Sequence, residues 1–262
     1  MLTLAYAVCA VPVAPIRSEA NHRAEQVSQA LFGERLEILE EVNHTWFRVR
    51  CAWDNYEGWV VSGQVMLISP KDFQKPTRTL AVGQHDHLII QEGNWALSPG
   101  SELYQLRKNH INWHFLSFKF KGKKLMVKSA AAHADNLKQW SKLFLGSPYL
   151  WGGRNKLGID CSGYTQVVYK LMGIMLPRDA WQQAEDGEPV SFLQEAKCGD
   201  LAFFDNEEGH ITHVGILLND HTIIHATETS GAVVIDAIDS GGIISKRLRT
   251  RTHKLRIIKR YF

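Results

Sequence analysis

The sequence predicts an α+β fold in which two small antiparallel β-barrels precede a domain of helices packed on an antiparallel sheet. Short strand-like runs separated by glycine and proline turns fill the first 130 residues, a pattern typical of small barrels. Apolar residues then recur at helical spacing over residues 130–145, and strand-like segments return after residue 200. Helices followed by antiparallel strands are typical of α+β domains.

The composition is that of an ordinary globular protein. With 262 residues, 45% of them hydrophobic, the chain can bury a core without disulfide bonds. Its formal net charge of +3 is too small to indicate a nucleic-acid or membrane-surface protein. The basic stretch 246–262 lacks the interleaved aromatic residues of a nucleic-acid platform, so we expect a strand with one solvated face there and no nucleic-acid partner.

Compartment and assembly follow from the remaining global features. No apolar run approaches the roughly eighteen residues of a membrane helix, so we expect no membrane span. The 4 cysteines follow no dense spacing, which favours a reducing compartment and a cytoplasmic location. A lost or trimmed signal would instead place the protein in the periplasm or outside the cell. We expect a monomer.

The two barrels are predicted over residues 1–69 and 70–129. Predicted strands lie at residues 11–13, 35–39, 46–49 and 58–61 of the first barrel, and at 87–90, 114–120 and 125–128 of the second, which is more divergent. The stretch 69–76 begins and ends near prolines and is typical of a linker. Domains of roughly sixty residues are only marginally stable alone, so each barrel is expected to pack against a neighbour.

The third domain is predicted over residues 130–262. Its first helix covers residues 130–145 and ends at Gly146, a residue suited to a helix C-terminus. A second helix begins near Asp160 and ends near Gly173. Predicted strands follow at 200–204, 213–218, 222–225, 233–235 and 255–258.

Cys161 is the candidate nucleophile of this domain. It opens the second predicted helix, in the stretch Gly158-Ile159-Asp160-Cys161-Ser162-Gly163. Backbone N–H groups at a helix N-terminus favour a thiolate, and the small residues on both sides leave room for a substrate. Taken alone, a cysteine in a globular domain is more often an inert buried residue.

Two histidines supply a candidate base and a residue to orient it. His213 and His225 each stand within an apolar strand, where valine or isoleucine would pack better. With a turn at residues 219–221 the two strands form a hairpin, and the two imidazoles can then meet across the sheet. Each histidine taken alone is more often a core or edge residue; a nucleophile, a base and an orienting group together indicate covalent catalysis.

Six motifs of this chain occur in the order seen in NlpC-type cell-wall cysteine peptidases, a papain-like family. They are Pro148-Tyr149-Leu150-Trp151-Gly152-Gly153, Asp160-Cys161-Ser162-Gly163, Leu176-Pro177-Arg178, Gly199-Asp200-Leu201-Ala202-Phe203-Phe204, His213-Val214-Gly215-Ile216 and Ile224-His225-Ala226. The resemblance covers residues 130–262. It implies a papain-like fold with Cys161 as nucleophile, His213 as general base and His225 as the residue that orients the base.

The chain further resembles the γ-D-glutamyl-L-diamino acid endopeptidase branch of that family, which carries bacterial SH3-like domains before the catalytic domain and acts on peptides with a free amino terminus. Residues 28–34 and 54–60 carry the SH3 resemblance. The implied substrate contacts are Asp160, Asp179 and Glu25 at the substrate amine, Ser162 at the D-glutamate carboxylate, Trp151 and Tyr56 as walls of the site, and the Tyr149 hydroxyl at the oxyanion.

Several of these positions have other interpretations. A carboxylate at Asp160 should raise the pKa of the neighbouring thiol unless it is compensated. Asp179 fits equally well as the N-cap of a helix over residues 180–185, and Tyr149 fits as a core aromatic residue. Ala180 stands where that branch often has serine, which removes one polar contact.

The resemblance implies a cysteine endopeptidase that hydrolyses the γ-D-glutamyl–diamino acid bond of peptidoglycan-derived peptides with free N-terminal L-Ala, in murein peptide turnover or recycling. No cofactor or metal is implied, and the diamino acid can be diaminopimelate or lysine. Acyl or amide transfer at the same site and a wall-binding protein with an inert catalytic domain are the alternatives. A structural zinc module using Cys161, Cys198, His210 and His213 is disfavoured because no Cys-x-x-Cys pair is present.

Overall fold

The computed structural model describes residues 2–262, which divide into two compact units. The first unit runs to Ala130 and also includes Gly152–Asn155; the second comprises Ala131–Trp151 and Lys156–Phe262. Met1, with which the predicted first barrel begins, lies outside the described residues.

A seven-stranded antiparallel sheet opens the first unit. Its strands are β1 (Ala5–Cys9), β2 (Val13–Arg17), β3 (Gln26–Leu31), β4 (Arg35–Val42), β5 (Trp46–Cys51), β6 (Glu57–Val61) and β7 (Val65–Ile68). They are hydrogen-bonded in the order β3-β2-β6-β5-β4-β1-β7. The strand predicted at residues 11–13 is interrupted, because Pro12 has no N–H for a ladder and lies in a bend before β2.

The stretch predicted as a linker contains a short helix, α1 (Pro70–Phe73). Ser69 is its N-cap: the Ser69 hydroxyl oxygen accepts the backbone N–H of Asp72 at 3.0 Å. Pro70 occupies the first helical position, where its missing N–H costs nothing. Pro70 therefore begins a helical turn within the stretch that the sequence predicts as a linker.

The second predicted barrel consists of two small antiparallel sheets. Its strands are β8 (Thr79–Ala81), β9 (His87–Ile90), β10 (Gly93–Ala96), β11 (His110–Trp113), β12 (Leu116–Lys121) and β13 (Lys124–Met126). Strands β10-β9-β12-β11 form one sheet, and β13 pairs with β8 in the other.

One apolar core joins these strands to the seven-stranded sheet. Val8 and Phe32 bury against Leu88, Trp113 and Phe118. The Phe32 ring stacks on Trp113 with centroids 4.9 Å apart and meets Phe118 edge-on at 5.3 Å. The two halves of the unit thus bury each other's apolar surface, as expected of domains this small.

The segment Gly152–Asn155, which contains strand β14 (Arg154–Asn155), belongs to the first unit although it lies far along the chain. The Arg154 guanidinium pairs with the Glu34 carboxylate at 2.8 Å and also donates to the Gln29 carbonyl oxygen at 2.6 Å. Both charged side chains are buried. Burying two charges is tolerated only because they are paired and hydrogen-bonded.

In the second unit, helices precede an antiparallel sheet. The helices are α2 (Ala134–Ser141), α3 (Cys161–Leu171) and α4 (Ala180–Glu185), and the strands are β15 (Gly158–Ile159), β16 (Glu188–Val190), β17 (Leu201–Asp205), β18 (Ile211–Asn219), β19 (Thr222–Thr227), β20 (Ala232–Asp239), β21 (Gly242–Ile244) and β22 (Arg251–Arg260). Helix α2 is shorter than predicted, because residues 142–144 tighten into a 3₁₀ turn. The sequence pattern predicts no strand at β15, β16 or β21.

Six strands of this sheet close into a barrel. The order is β16-β22-β17-β18-β19-β20-β21, and β21 pairs again with β22. Phe204, Leu217, Ile223 and Ile258 belong to one cluster drawn from its strands. Helix α3, buried along its whole length, packs against β18 and β19. Cys161 therefore starts a helix that is fixed to the strands of both histidines.

Candidate active site

Cys161 is the first residue of α3, as the sequence predicts. Asp160 is the N-cap, and its Oδ1 accepts the backbone N–H of Gly163 at 2.7 Å. The backbone N–H groups of Val214 and Ser162 face the Cys161 sulfur and lower the pKa of the thiol. Since Val214 directly follows His213, the start of α3 and the start of β18 converge at this sulfur.

His213 and His225 lie on adjacent strands, and Nε2 of His213 is 2.8 Å from Nδ1 of His225. In this ladder Ile216 lies opposite Ile224, which puts Gly215 opposite His225 and His213 diagonal to it. A Cβ atom on Gly215 would lie only 2.9 Å from the Cβ of His225. Glycine at this position therefore leaves the space that the two imidazoles need to meet.

Two residues that sequence reasoning missed complete the cluster. Asp236 on β20 lies behind His225, with Oδ2 3.2 Å from Nε2 of that ring. His253 on β22 stacks on His213 with centroids 4.2 Å apart. A carboxylate within the apolar stretch Val233-Val234-Ile235-Asp236-Ala237-Ile238 is the signal that could have revealed Asp236; His253, in a strand of alternating polar residues, offers none.

Burial disfavours an isolated charge on either member of the Cys161–His213 pair. It raises the pKa of the Cys161 thiol to about 12, and the Asp160 charge adds to that effect. It also lowers the pKa of His213 well below its ordinary value, and His253 and His225 lower it further. The neutral thiol of Cys161 and the neutral imidazole of His213 are therefore the favoured forms.

Arg178 compensates the carboxylate that adjoins the nucleophile. Its guanidinium donates to both Asp160 oxygens, at 3.1 Å to Oδ1 and 2.5 Å to Oδ2, and to the Ser162 hydroxyl at 2.8 Å. The Arg178 charge lowers the pKa of Cys161, against the effect of Asp160. The sequence shows the motif Leu176-Pro177-Arg178 but not the burial that gives Arg178 this role.

The predicted substrate residues of the second unit are placed as follows. Tyr149 is partly buried, and burial together with the Cys161 charge raises its pKa, so its hydroxyl stays a donor. Trp151 is 59% exposed. Asp179 is the N-cap of α4, with a capping box to Gln182. The helix-cap interpretation of Asp179 is thus confirmed, and its contact to a substrate amine stays a prediction, as does that of Asp160.

Glu25 and Tyr56 both lie in the first unit, Glu25 exposed and Tyr56 partly buried. Their contact with a substrate stays a prediction. Cys198, one of the residues of the zinc alternative, donates from its sulfur to the Ala134 carbonyl oxygen at 3.9 Å. Within residues 2–262, no three His, Cys, Asp or Glu side chains converge to hold a metal ion, and no helix is long and apolar enough to cross a membrane.

Two family models match the chain: that of the NlpC/P60 family over residues 146–252, and that of the bacterial dipeptidyl-peptidase SH3 domain over residues 16–65. A Bacillus subtilis protein named gamma-D-glutamyl-L-lysine dipeptidyl-peptidase is 31% identical in an alignment 239 positions long that covers 79% of this chain and 74% of the relative. The chain belongs to the NlpC/P60 family. It is a cysteine-type peptidase, as the motifs around Cys161 predict.

A second relative and a solved structure are also similar to this chain. A Bacillus cereus protein that is also named gamma-D-glutamyl-L-lysine dipeptidyl-peptidase is 36% identical over 122 residues, which are 46% of this chain and 36% of the relative's length. The crystal structure of an NlpC/P60 family protein from Bacillus cereus matches with a TM-score of 0.82 at 19% identity, covering 98% of this chain and 99% of that one. The predicted fold, a papain-like peptidase domain preceded by SH3-like modules, is confirmed.

Proposed function

We propose that this NlpC/P60 peptidase hydrolyses the γ-D-glutamyl–diamino acid bond of peptidoglycan-derived peptides that carry a free N-terminal L-Ala. The observation that carries the proposal is the hydrogen bond between His213 and His225. The backbone N–H of Val214, the residue after His213, faces the sulfur of Cys161. The name of the Bacillus subtilis relative, gamma-D-glutamyl-L-lysine dipeptidyl-peptidase, supports the bond type.

Acylation begins with proton transfer from the Cys161 thiol to Nδ1 of His213, the ring nitrogen that the bond to His225 leaves free. The sulfur attacks the γ-carbonyl carbon of D-glutamate. The backbone N–H of Cys161 and the Tyr149 hydroxyl donate to the oxyanion. As the tetrahedral intermediate collapses, the C–N bond breaks and His213 returns its proton to the α-amine of the departing diamino acid.

Deacylation repeats the steps with water as the nucleophile. His213 takes a proton from the water that attacks the thioester carbonyl, and the C–S bond then breaks. The L-Ala-γ-D-Glu dipeptide leaves with a free γ-carboxyl group, and the proton held by His213 returns to the sulfur. The pair is then neutral again, the state that burial favours.

The proposed substrate contacts are those that the resemblance to the endopeptidase branch implies. Asp160, Asp179 and Glu25 would hold the substrate ammonium, and Ser162 the D-glutamate carboxylate. The hydrogen bond from the Arg178 guanidinium supports the second assignment, because it fixes the position of the Ser162 hydroxyl, and a hydroxyl that accepts a bond can still donate its proton. Trp151, with its exposed ring, and Tyr56 would form the walls.

The test is mass spectrometry of the products from L-Ala-γ-D-Glu-L-Lys and its diaminopimelate counterpart, each with a free or an acetylated amino terminus. We expect L-Ala-γ-D-Glu and the free diamino acid from the free-amine peptides. Acetylation should slow cleavage at least about a hundredfold, since it removes the charge that a buried carboxylate pairs with. Cys161→Ala should abolish cleavage, whereas the matched Cys198→Ala should not.

Equal rates on free and acetylated peptides would remove the amine site. Cleavage by Cys161→Ala would remove the nucleophile, and transfer of the dipeptide to an added amine in place of water would make the protein a transferase. We also propose a cytoplasmic location, which the free state of all four cysteines supports. Cell fractionation tests it, and recovery in the periplasm or the medium would contradict it.

A further inference from the structure

The Asp236 side chain is buried and accepts two hydrogen bonds from opposite directions. Oδ2 contacts Nε2 of His225 at 3.2 Å, and Oδ1 accepts the backbone N–H of Lys246 at 2.9 Å. Burial opposes its ionisation, but these two bonds and the Lys246 charge hold the pKa of Asp236 below its usual value. The group is a carboxylate without a proton and can only accept.

An accepting carboxylate fixes the protons on both histidines. Nε2 of His225 must carry the proton that it donates to Asp236, so Nδ1 of a neutral His225 is an acceptor. Nε2 of His213, 2.8 Å from that nitrogen, must then donate to it. Nδ1 of a neutral His213 is therefore left without a proton, and it carries the lone pair that a base needs.

We propose that Asp236 is a positioning residue of the catalytic centre: through His225 it holds His213 in the tautomer that can accept the proton of Cys161. The carboxylate touches neither the thiol nor a substrate. It acts across two imidazoles, by setting which nitrogen of each carries hydrogen. The same bonds fix the ring planes of His213 and His225, and His253 stacked on His213 limits rotation further.

Asparagine in place of Asp236 would reverse the order of hydrogen-bond donors and acceptors along His225 and His213. An asparagine has one accepting oxygen, whereas Asp236 satisfies two donors, His225 and the Lys246 N–H. If the oxygen keeps the Lys246 bond, the amide N–H₂ faces Nε2 of His225 and forces the proton of that ring to Nδ1. His213 must then hold its proton on Nδ1, toward the thiol. If the amide takes the opposite orientation, its N–H₂ group faces the backbone N–H of Lys246, and two donors meet without an acceptor.

The test is the rate of Cys161 alkylation by iodoacetamide as a function of pH, followed by peptide mass spectrometry in the full-length protein. We expect Asp236→Asn to slow the alkylation of Cys161 about a hundredfold at pH 7 and to displace the pH profile upward, because the thiol loses its acceptor. In Asp236→Ala, added formate should restore part of the rate, since it supplies an accepting carboxylate.

The matched control is Asp220→Asn, which changes a carboxylate in the turn between the two histidine strands that contacts the exposed His221; its profile should match the unaltered protein. If Asp236 had only a structural role, Asp236→Asn would lower the unfolding midpoint but keep the pH profile of the unaltered protein, and formate would not restore the rate of Asp236→Ala. That result would overturn the proposal. The inference rests on the proposed function only in taking Cys161 as the nucleophile. Alkylation needs no peptide, so a wrong substrate would leave this test intact.

Discussion

Cys9 in the first unit and Cys161 in the second occupy similar electrostatic surroundings. Burial raises the pKa of each thiol to about 12. Each also lies near a buried arginine–carboxylate pair whose carboxylate raises the pKa of the thiol and whose arginine lowers it, Glu34–Arg154 for Cys9 and Asp160–Arg178 for Cys161. By burial and charge alone, the two cysteines should be equally inert.

The difference lies in what receives the proton. Cys9 donates from its sulfur to the carbonyl oxygens of Val11 and Ala30, at 3.3 and 3.4 Å, within an apolar core. Cys161 instead lies beside the strand that presents His213 and its relay. In the proposed mechanism it is this neighbouring base that makes a buried thiol a nucleophile, while the ion pair has a structural role in both units.

Removing one carboxylate from each ion pair should give the largest effect. Glu34→Gln and Asp160→Asn each leave a buried guanidinium without its counter-charge, so we expect each variant to lose about 3–5 kcal/mol of unfolding free energy. Urea unfolding at pH 7 measures both. A loss below about 1 kcal/mol in either variant would contradict the view that the two pairs are equivalent scaffolds.

The next largest effect is expected in acid, where the titration of His253 should destabilise the second unit. Burial and the His225 charge lower the pKa of His253 to about 4. Below pH 6.5 the unfolded chain takes up a proton on this ring that the folded protein refuses, so stability falls as pH decreases until about pH 4. At pH 4.5 this costs about 2 kcal/mol.

The variant His253→Phe keeps a ring against His213 but cannot titrate. Its urea midpoint should therefore match the unaltered protein at pH 7 and exceed it at pH 4.5. Equal acid sensitivity in the two proteins would show that His253 is not the group responsible.

A smaller effect should appear in thiol reactivity. Asp160→Asn keeps a residue suited to the N-cap of α3 and removes the negative charge that raises the pKa of Cys161. We expect Cys161 to be alkylated about tenfold faster at pH 8, the size expected for one neighbouring charge. Glu34→Gln is the matched control and should leave that rate unchanged; an equal acceleration in both would point to loosened structure.

Most of the candidate catalytic centre could be predicted from the sequence, because its residues lie in local helix and strand patterns. A cysteine at a predicted helix start and two histidines in neighbouring strands of a hairpin could be placed from helix and strand periodicity, and the structure brings His213 and His225 into contact. Asp179 as a helix cap was equally local.

Long-range features were not predictable in the same way. Arg178 and Asp236 act because they are buried against partners 18 and 11 residues away, and burial of a charged side chain depends on packing that no local pattern records. The pairing of Arg154 with Glu34, 120 residues apart, is the extreme case. Strand β21, three residues long, exists because it closes the barrel between β20 and β22.

The most direct test of the centre is site-resolved alkylation of the four native cysteines at pH 7.5, with and without His213→Ala. We expect Cys161 to react fastest, Cys9 and Cys51 to stay unmodified, and His213→Ala to slow Cys161 about a hundredfold or more without changing the rate at Cys198. Modification of Cys161 no faster than Cys9, or a Cys161 rate indifferent to the loss of His213, would contradict the thiol–imidazole pair on which the proposed chemistry depends.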